Sequence, residues 1–177
     1  MGYRIRIAIP QDEQRIRELF TEMLQTIYHT EEVEGYESGY LDRYWTNGED
    51  VLFVAEDNEV VAYLAVEVHR EDEMDYVYLD DLSVTEKYRS QGIGSSLIHD
   101  AEIYAQEIGI HHILFHVEKS NTEAFRLYER LGYKIFRDDG NRYMMKKDRI
   151  HIAEERITAE EYGGADKYLQ RDIQKSI

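Results

Sequence analysis

The chain has 177 residues, of which 42% are hydrophobic and 33% charged, so it is long enough to bury one sizeable core. It contains no cysteine, which excludes disulfide bonds, a cysteine nucleophile and thiolate-bound zinc. The formal net charge of −16 argues against nucleic acid or an anionic membrane as the main partner. That charge suits a cationic substrate, although acidic proteins without such a substrate are common. No apolar run approaches the ~18 residues of a membrane span and no signal peptide is recognised, so we expect a cytoplasmic protein.

Apolar residues alternate in some segments, which predicts strands, and recur at helical spacing in others, which predicts helices. In chain order, the predicted elements are a strand over 3–9, a helix over about 11–28, a short helix around 38–46, strands over 51–55, 60–68 and 76–84, a helix over 93–108, a strand over 112–117, a helix from Asn121 to Gly132, and strands over 133–136 and 142–146. The very polar remainder, 148–177, is predicted as one or two helices appended to a domain spanning 1–147.

The segment Leu82–Ser95 predicts an anion-binding site. An apolar strand ends there, a polar turn follows, and Gly92 and Gly94 open a long helix. A helix N-terminus leaves about four N–H groups without partners and carries about half a positive charge. Glycines allow close approach of a phosphate, and Arg89 adds a charged donor. The alternative is a helix entry whose glycines serve only tight packing. Neither a Rossmann fingerprint nor a P-loop matches.

A second segment, Asn121–Tyr133, predicts a short helix. Asn121 is a suitable N-cap and Gly132 a suitable stop. Tyr128 lies nearly two turns after Asn121, on a stripe with apolar residues. By itself, this tyrosine is typical of a core or boundary position.

Taken in order, the two segments resemble the GNAT superfamily of acetyl-CoA-dependent N-acetyltransferases. The resemblance implies an α/β (α+β) fold: a mixed, mostly antiparallel central sheet, flanked by helices, in which two parallel strands, 76–84 and 112–117, splay apart. It implies acetyl-CoA as cosubstrate, with pantetheine along the first strand, pyrophosphate at the helix start, and contacts from the second segment. The implied coenzyme-binding residues are Leu82, Ser83, Val84, Arg89, Ser90, Gln91, Gly92, Ile93, Gly94, Ser95, Asn121 and Tyr128.

The implied reaction is direct attack of an amine on the thioester. A typical alkylamine has a pKa near ~10, so the site needs a proton acceptor. We favour Asp80, with Glu67 and His69 in reserve, although each carboxylate could equally be solvated or anchor substrate. Alternation places Tyr78, Asp80, Leu82 and Val84 on one face, with Asp81 opposite unless a bulge intervenes. The Val84 amide is our oxyanion donor and Tyr128 our general acid.

The acceptor is expected to be a primary amine of a small cationic molecule or peptide. The loop over 29–40 is acidic, through Glu31, Glu32, Glu34 and Glu37, and would attract a cation, unless these are simply solvated charges. Tyr36, Tyr40, Tyr44 and Trp45 could stack on substrate or pack as a helix face. The histidines are interpreted as surface or strand-edge residues, without a metal. A homodimer is compatible with the sequence but no pattern demonstrates it. The alternative functions are a non-catalytic acyl-CoA-binding regulatory module and an interaction protein working through 148–177.

Overall fold

The computed structural model describes residues 2–148, and within them seven strands form a single sheet. The strands are β1 Arg4–Ile7, β2 Val51–Asp57, β3 Glu59–His69, β4 Tyr76–Val84, β5 His112–Glu118, β6 Lys134–Asp138 and β7 Arg142–Asp148. Their order across the sheet is β1-β2-β3-β4-β5-β7-β6. β4 and β5 run parallel, and every other neighbouring pair is antiparallel. This is the mixed, mostly antiparallel sheet that the resemblance implied.

Helices cover both faces of the sheet. Each helix packs against the sheet because it has one apolar stripe to bury. The helices are α1 Glu13–Tyr28, α2 Ile93–Glu107 and α3 Thr122–Arg130. On one face, Ile16 and Leu19 of α1 pack with Leu52, Val54, Tyr63 and Ala65 of the sheet. On the other face, Leu97 and Ala101 of α2 pack with Phe53, Leu64, Val66 and Ile113. We call these the α1 face and the α2 face of the sheet.

Local chemistry sets the ends of α2 and α3. Gly92 precedes α2 with φ +80° and Gly109 follows it with φ +79°, a backbone region that other residues rarely adopt. At the start of α3, the Asn121 carboxamide oxygen accepts a hydrogen bond from the Ala124 amide at 3.2 Å, as an N-cap does. Both helices therefore begin where the sequence predicted.

Two predicted elements differ from the structure. The first strand is shorter than 3–9, because Pro10 begins a 3₁₀ turn, Pro10–Asp12, in which the Asp12 carboxylate accepts the Ile9 amide hydrogen at 2.9 Å. The short helix predicted around 38–46 is a 3₁₀ helix over Tyr40–Trp45. The predicted helical extension over 148–177 lies, beyond Asp148, outside the described residues. Among the described helices, none is long and apolar enough to cross a bilayer.

Candidate active site

A cleft opens where the two parallel strands part. β4 and β5 pair only at Val77 with Ile113 and at Tyr78 with Leu114. Beyond these pairs, the carboxyl-terminal halves of the two strands are not hydrogen-bonded to each other, and β5 pairs instead with β7 along its whole length. The splayed parallel strands implied by the resemblance are therefore present.

The edge of β4 that faces this cleft carries peptide groups with no strand partner. The Thr85 amide donates to the Val61 carbonyl at 2.9 Å, which makes this a hydrogen-bonded pair with β3. Because pairing alternates along an antiparallel ladder, the peptide groups of Leu82 and Val84 point away from β3, toward the cleft. Arg89 Nε donates to the Val84 carbonyl at 2.9 Å, which leaves the Val84 amide as a donor on this edge.

The start of α2 lies directly after this edge. The first helical hydrogen bond runs from the Ser96 amide to the Gly92 carbonyl at 3.0 Å, so the amides of residues 93–95 have no acceptor within the helix. Ser90, at φ +59°, and Gly92 both adopt left-handed backbone conformations that shape the preceding loop. A Cβ atom at Gly92 would meet nothing within 4 Å, and one at Gly94 would lie at an ordinary 3.6 Å from Leu82. Close packing therefore does not explain either glycine.

A carboxylate from α1 holds the loop in front of α2. Glu22 accepts hydrogen bonds from the Thr85 hydroxyl at 2.9 Å and from the Glu86 amide at 3.0 Å. Its Oε1 also lies 3.6 Å from Arg89 Nη2, and the Arg89 side chain is 37% exposed. The partly exposed guanidinium therefore lies on the loop that precedes α2, where it can add a charged donor to the unpartnered amides at the helix start.

Tyr128 packs against the part of β5 that has separated from β4. Its ring meets that of Phe115 edge-on, with centroids 4.4 Å apart. Burial raises the pKa of Tyr128, so the hydroxyl keeps its proton at neutral pH. Among residues 2–148 the hydroxyl has no hydrogen-bond partner, which leaves it able to donate to a bound group.

A β-bulge changes which side chains of β4 share a face. Leu79 pairs with Val66 and Leu82 with Leu64, so Asp80 and Asp81 together oppose one residue of β3. The prediction that Asp80 shares a face with Leu82 and Val84 is therefore wrong. Leu82 and Val84 belong to the α2-face core, whereas the bulge turns both Asp80 and Asp81 toward the α1 face. Alternation placed Asp81 on the opposite face unless a bulge intervenes, and the structure contains that bulge.

Two tyrosines from the loop after α1 cover these carboxylates. The Tyr36 hydroxyl donates to Asp81, and the Tyr40 hydroxyl donates to Asp80 at 3.4 Å. Tyr36 stacks between Phe20 and Tyr40, at centroid distances of 3.7 and 4.7 Å. Of the aromatic residues singled out in the sequence, these two therefore reach the carboxylates. The other two pack away from them: Tyr44 is buried in the α1-face core, and Trp45 Nε1 donates to Glu13 at 3.1 Å.

The electrostatics make Asp80 a suitable base. Burial, assisted by the nearby charges of Asp81 and Glu67, raises the pKa of Asp80 from 3.8 to about 7. Burial also raises the pKa of Asp81. The Glu67 carboxylate, by contrast, has nearby partners: Arg43 Nη1 lies 3.2 Å from its Oε1, and His69 Nε2 lies 3.3 Å from its Oε2. Asp80 thus combines a position near the cleft with a pKa of about 7, which suits a base at neutral pH.

Sequence reasoning missed a hydrogen-bonded chain beside Asp80. The Tyr78 hydroxyl and His116 Nδ1 lie 2.7 Å apart, and His116 Nε2 lies 2.7 Å from Asp139 Oδ2. The His116 side chain is only 13% exposed, so the interpretation of this histidine as a surface or strand-edge residue is wrong. Alternation along β5 was a signal, since it places His116 on the face opposite Phe115. The partner from the turn between β6 and β7 had no signal in the sequence.

The comparisons with known proteins agree with the fold. The model of the acetyltransferase (GNAT) family matches residues 14–133, more than half of the chain, and the chain belongs to this family. It is similar in fold to the PaiA N-acetyltransferase from Thermoplasma acidophilum, crystallised in complex with coenzyme A. The TM-score is 0.68 at 19% identity, over 84% of this chain and 99% of that one.

Two curated relatives illustrate the range of the family. A mycothiol acetyltransferase of Corynebacterium glutamicum (strain R) is 31% identical over 91 residues, which is 51% of this chain and 30% of that protein. The N-terminal acetyltransferase A complex catalytic subunit of Arabidopsis thaliana is 28% identical over 126 residues, 65% of this chain and 66% of that one. The matched part of the chain thus spans less than a third of the mycothiol enzyme.

Proposed function

We propose that this protein is an N-acetyltransferase that transfers the acetyl group of acetyl-CoA to a primary amine by direct attack. The observation that carries the proposal is the meeting of two unpartnered backbone surfaces at one cleft: the free edge of β4 and the amides at the start of α2. The first suits the amide-bearing pantetheine arm, and the second suits a diphosphate. Membership of the GNAT family and the coenzyme A bound to a protein of similar fold support this assignment.

Acetyl-CoA would lie along the cleft, with each part recognised by different atoms. The pantetheine amides would pair with the peptide groups of Leu82, as an added strand pairs with a free edge, whereas the Val84 carbonyl is held by Arg89 and the Val84 amide would face the thioester. The pyrophosphate would accept hydrogen bonds from backbone amides of Ser90, Gln91 and residues 92–95, with Arg89 as charged partner. Asn121 would contact the coenzyme from α3. Its side-chain nitrogen, Nδ2, is available for this, because the cap uses only the side-chain oxygen.

The chemistry requires a neutral amine, a stabilised oxyanion and a protonated leaving group. Asp80 takes the proton from the ammonium group, since a carboxyl with a pKa of about 7 is a base at neutral pH. The Val84 amide, directed into the cleft, donates to the oxyanion. The Tyr128 hydroxyl protonates the departing thiolate, as its raised pKa keeps the proton in place until then, and the second proton released by the nitrogen returns to the tyrosinate through solvent.

The acceptor is a cationic molecule or a peptide bearing a primary amine. Asp80, Asp81 and Glu67 give the α1 side of the cleft an acidic character, and the Tyr40 ring is 38% exposed beside them. Glu31, Glu32, Glu34 and Glu37 are exposed on the adjoining loop and extend the negative surface. The Arabidopsis relative is a subunit of an N-terminal acetyltransferase, which makes a peptide amino terminus one of the amines to test.

A panel of amines assayed for release of free CoA tests the proposal. A thiol reagent reads CoA without interference, because the chain has no cysteine. The panel compares polyamines, aminoglycosides, lysine-containing peptides and peptide amino termini with neutral amines, and mass spectrometry locates the acetyl group. Amine-dependent release with acetylated product is expected. Tight acetyl-CoA binding with no turnover across the panel would favour the regulatory module instead.

A further inference from the structure

The turn between β6 and β7 presents a rigidly held carboxylate to the acceptor side of the sheet. The Asp139 amide donates to the Arg142 carbonyl at 3.0 Å, which closes the turn, and Gly140 permits it with φ +84°. Arg137 contacts both carboxylate oxygens, with Nε at 2.6 Å from Oδ1 and Nη2 at 3.0 Å from Oδ2. The remaining interaction of Oδ2 is with His116 Nε2 at 2.7 Å. Asp139 is thus oriented before any substrate arrives.

This carboxylate determines the tautomer of His116. Hydrogen bonds from Arg137 and His116 lower the pKa of Asp139 to about 2, so it is ionised and can only accept. The hydrogen between it and the imidazole must therefore be on Nε2. In the neutral ring, Nδ1 then carries a lone pair, and the Tyr78 hydroxyl, 2.7 Å away, must be the donor. The lone pairs of the Tyr78 oxygen remain free to accept from another group.

Tyr78, the last member of this series of hydrogen bonds, lies near Asp80, the proposed base. Tyr78 lies two residues before Asp80 on β4 and pairs with Glu67 on β3, so both side chains are on the α1 face. It also occupies the last pair before β4 and β5 separate. The charged groups near Tyr78 are Asp80, Asp81 and Glu67, together with Arg142 of β7. Those facing His116 are Asp139 and, through it, Arg137; its neighbour on β7 is the neutral Met144.

We infer that Asp139 is a positioning residue for acetyl transfer: by fixing His116 as the Nε2–H tautomer, it turns the Tyr78 oxygen into an acceptor for the substrate amine beside Asp80. The inference rests on the proposed function and deepens it. One N–H of the amine is held by Tyr78 while the proton leaves to Asp80, which aligns the nitrogen lone pair with the thioester. No covalent bond forms between the chain and the substrate.

The first test is a nitrogen NMR experiment on histidine-labelled protein, with Asp139→Asn as the variant. In the wild type, His116 is expected to show a protonated Nε2 and an unprotonated Nδ1. In the variant, both tautomers are expected, because no anion fixes the hydrogen on Nε2. Asp148→Asn is the matched control, since Asp148 Oδ1 lies 2.7 Å from Nδ1 of His112, a different histidine of β5. It should leave the His116 signals unchanged.

The second test is kinetic. Asp139→Asn is expected to lower kcat at least about tenfold, while KM for acetyl-CoA stays the same, because loss of the correct tautomer affects chemistry rather than coenzyme binding. Asp139→Glu should restore part of kcat, and Asp148→Asn should behave as wild type. A protonated Nδ1 in the folded wild type, or a normal kcat in Asp139→Asn, would overturn the inference while leaving acetyl transfer intact. A wild-type enzyme without turnover would instead contradict the proposed function, and the NMR result would still decide the tautomer.

Discussion

Replacing Asp80 by asparagine should separate stability from activity. The folded protein holds the Asp80 proton up to about pH 7, whereas an unfolded chain releases it near pH 3.8. The folded state therefore binds more protons between these values, and the free energy of unfolding falls as the pH rises through them. A rise in pKa from 3.8 to about 7 corresponds to at most ~4 kcal/mol. Because Asp80 keeps contact with solvent, we expect about 1–2 kcal/mol.

Asp80→Asn removes this cost, so the variant should be more stable than the wild type at pH 8 and about equally stable at pH 4. Activity should change in the opposite direction. In the wild type, kcat/KM should rise about tenfold between pH 6 and pH 8 as Asp80 ionises. In the variant, kcat/KM should be about a hundredfold lower than in the wild type and should no longer rise between pH 6 and pH 8.

Denaturant unfolding at several pH values, alongside CoA release, measures both effects. Asp72→Asn is the control, because Asp72 lies in the exposed connection between β3 and β4. It should change neither the stability nor the rate. Equal stability of Asp80→Asn and wild type at pH 8 would refute the claim that burial raises the pKa of Asp80. A stabilised variant with full activity would instead refute its role as base.

Three further predictions concern the coenzyme and the acceptor. Tyr128→Phe should lower kcat by about tenfold to a hundredfold with unchanged acetyl-CoA affinity by calorimetry, and unaltered turnover would remove it as the acid. Gly92→Ala should cost about 1 kcal/mol of stability and weaken acetyl-CoA binding at least about tenfold, because its φ is +80°. Gly109→Ala, equally strained at the other end of α2, should lose stability alone. With a cationic acceptor, kcat/KM should fall as ionic strength rises, and a flat profile would contradict steering by the acidic surface.

Much of the fold could be predicted because local signals agree with the final structure. The predictions of the strand over Tyr76–Val84 and of the start of α2 at Ile93 agree with the structure. The signals for both are local: alternating apolar residues indicate the strand, and a polar turn followed by a glycine indicates the start of the helix. The amide cluster follows from the same local geometry. The separation of β4 from β5 depends on pairing between distant strands, and only the family resemblance implied it.

The acceptor side was predicted less completely. Period-2 alternation holds only for a regular strand, and the bulge at Asp80 and Asp81 has no sequence signature of its own. The contacts of Asp81 with Tyr36 and of His116 with Asp139 join residues 45 and 23 positions apart. Such contacts depend on how the sheet is assembled. The proposed coenzyme site can therefore be predicted from local sequence, whereas the surroundings of the proposed base require the structure.

The proposed function requires that the free edge of β4 and the amides before and within the first turn of α2 bind acetyl-CoA. A titration of the full chain with acetyl-CoA, followed by backbone amide NMR, tests it most directly. We predict saturable shifts concentrated at Leu82–Val84 and Arg89–Ser95. Saturable binding that leaves these amides unperturbed, or no binding at millimolar acetyl-CoA, would contradict the account.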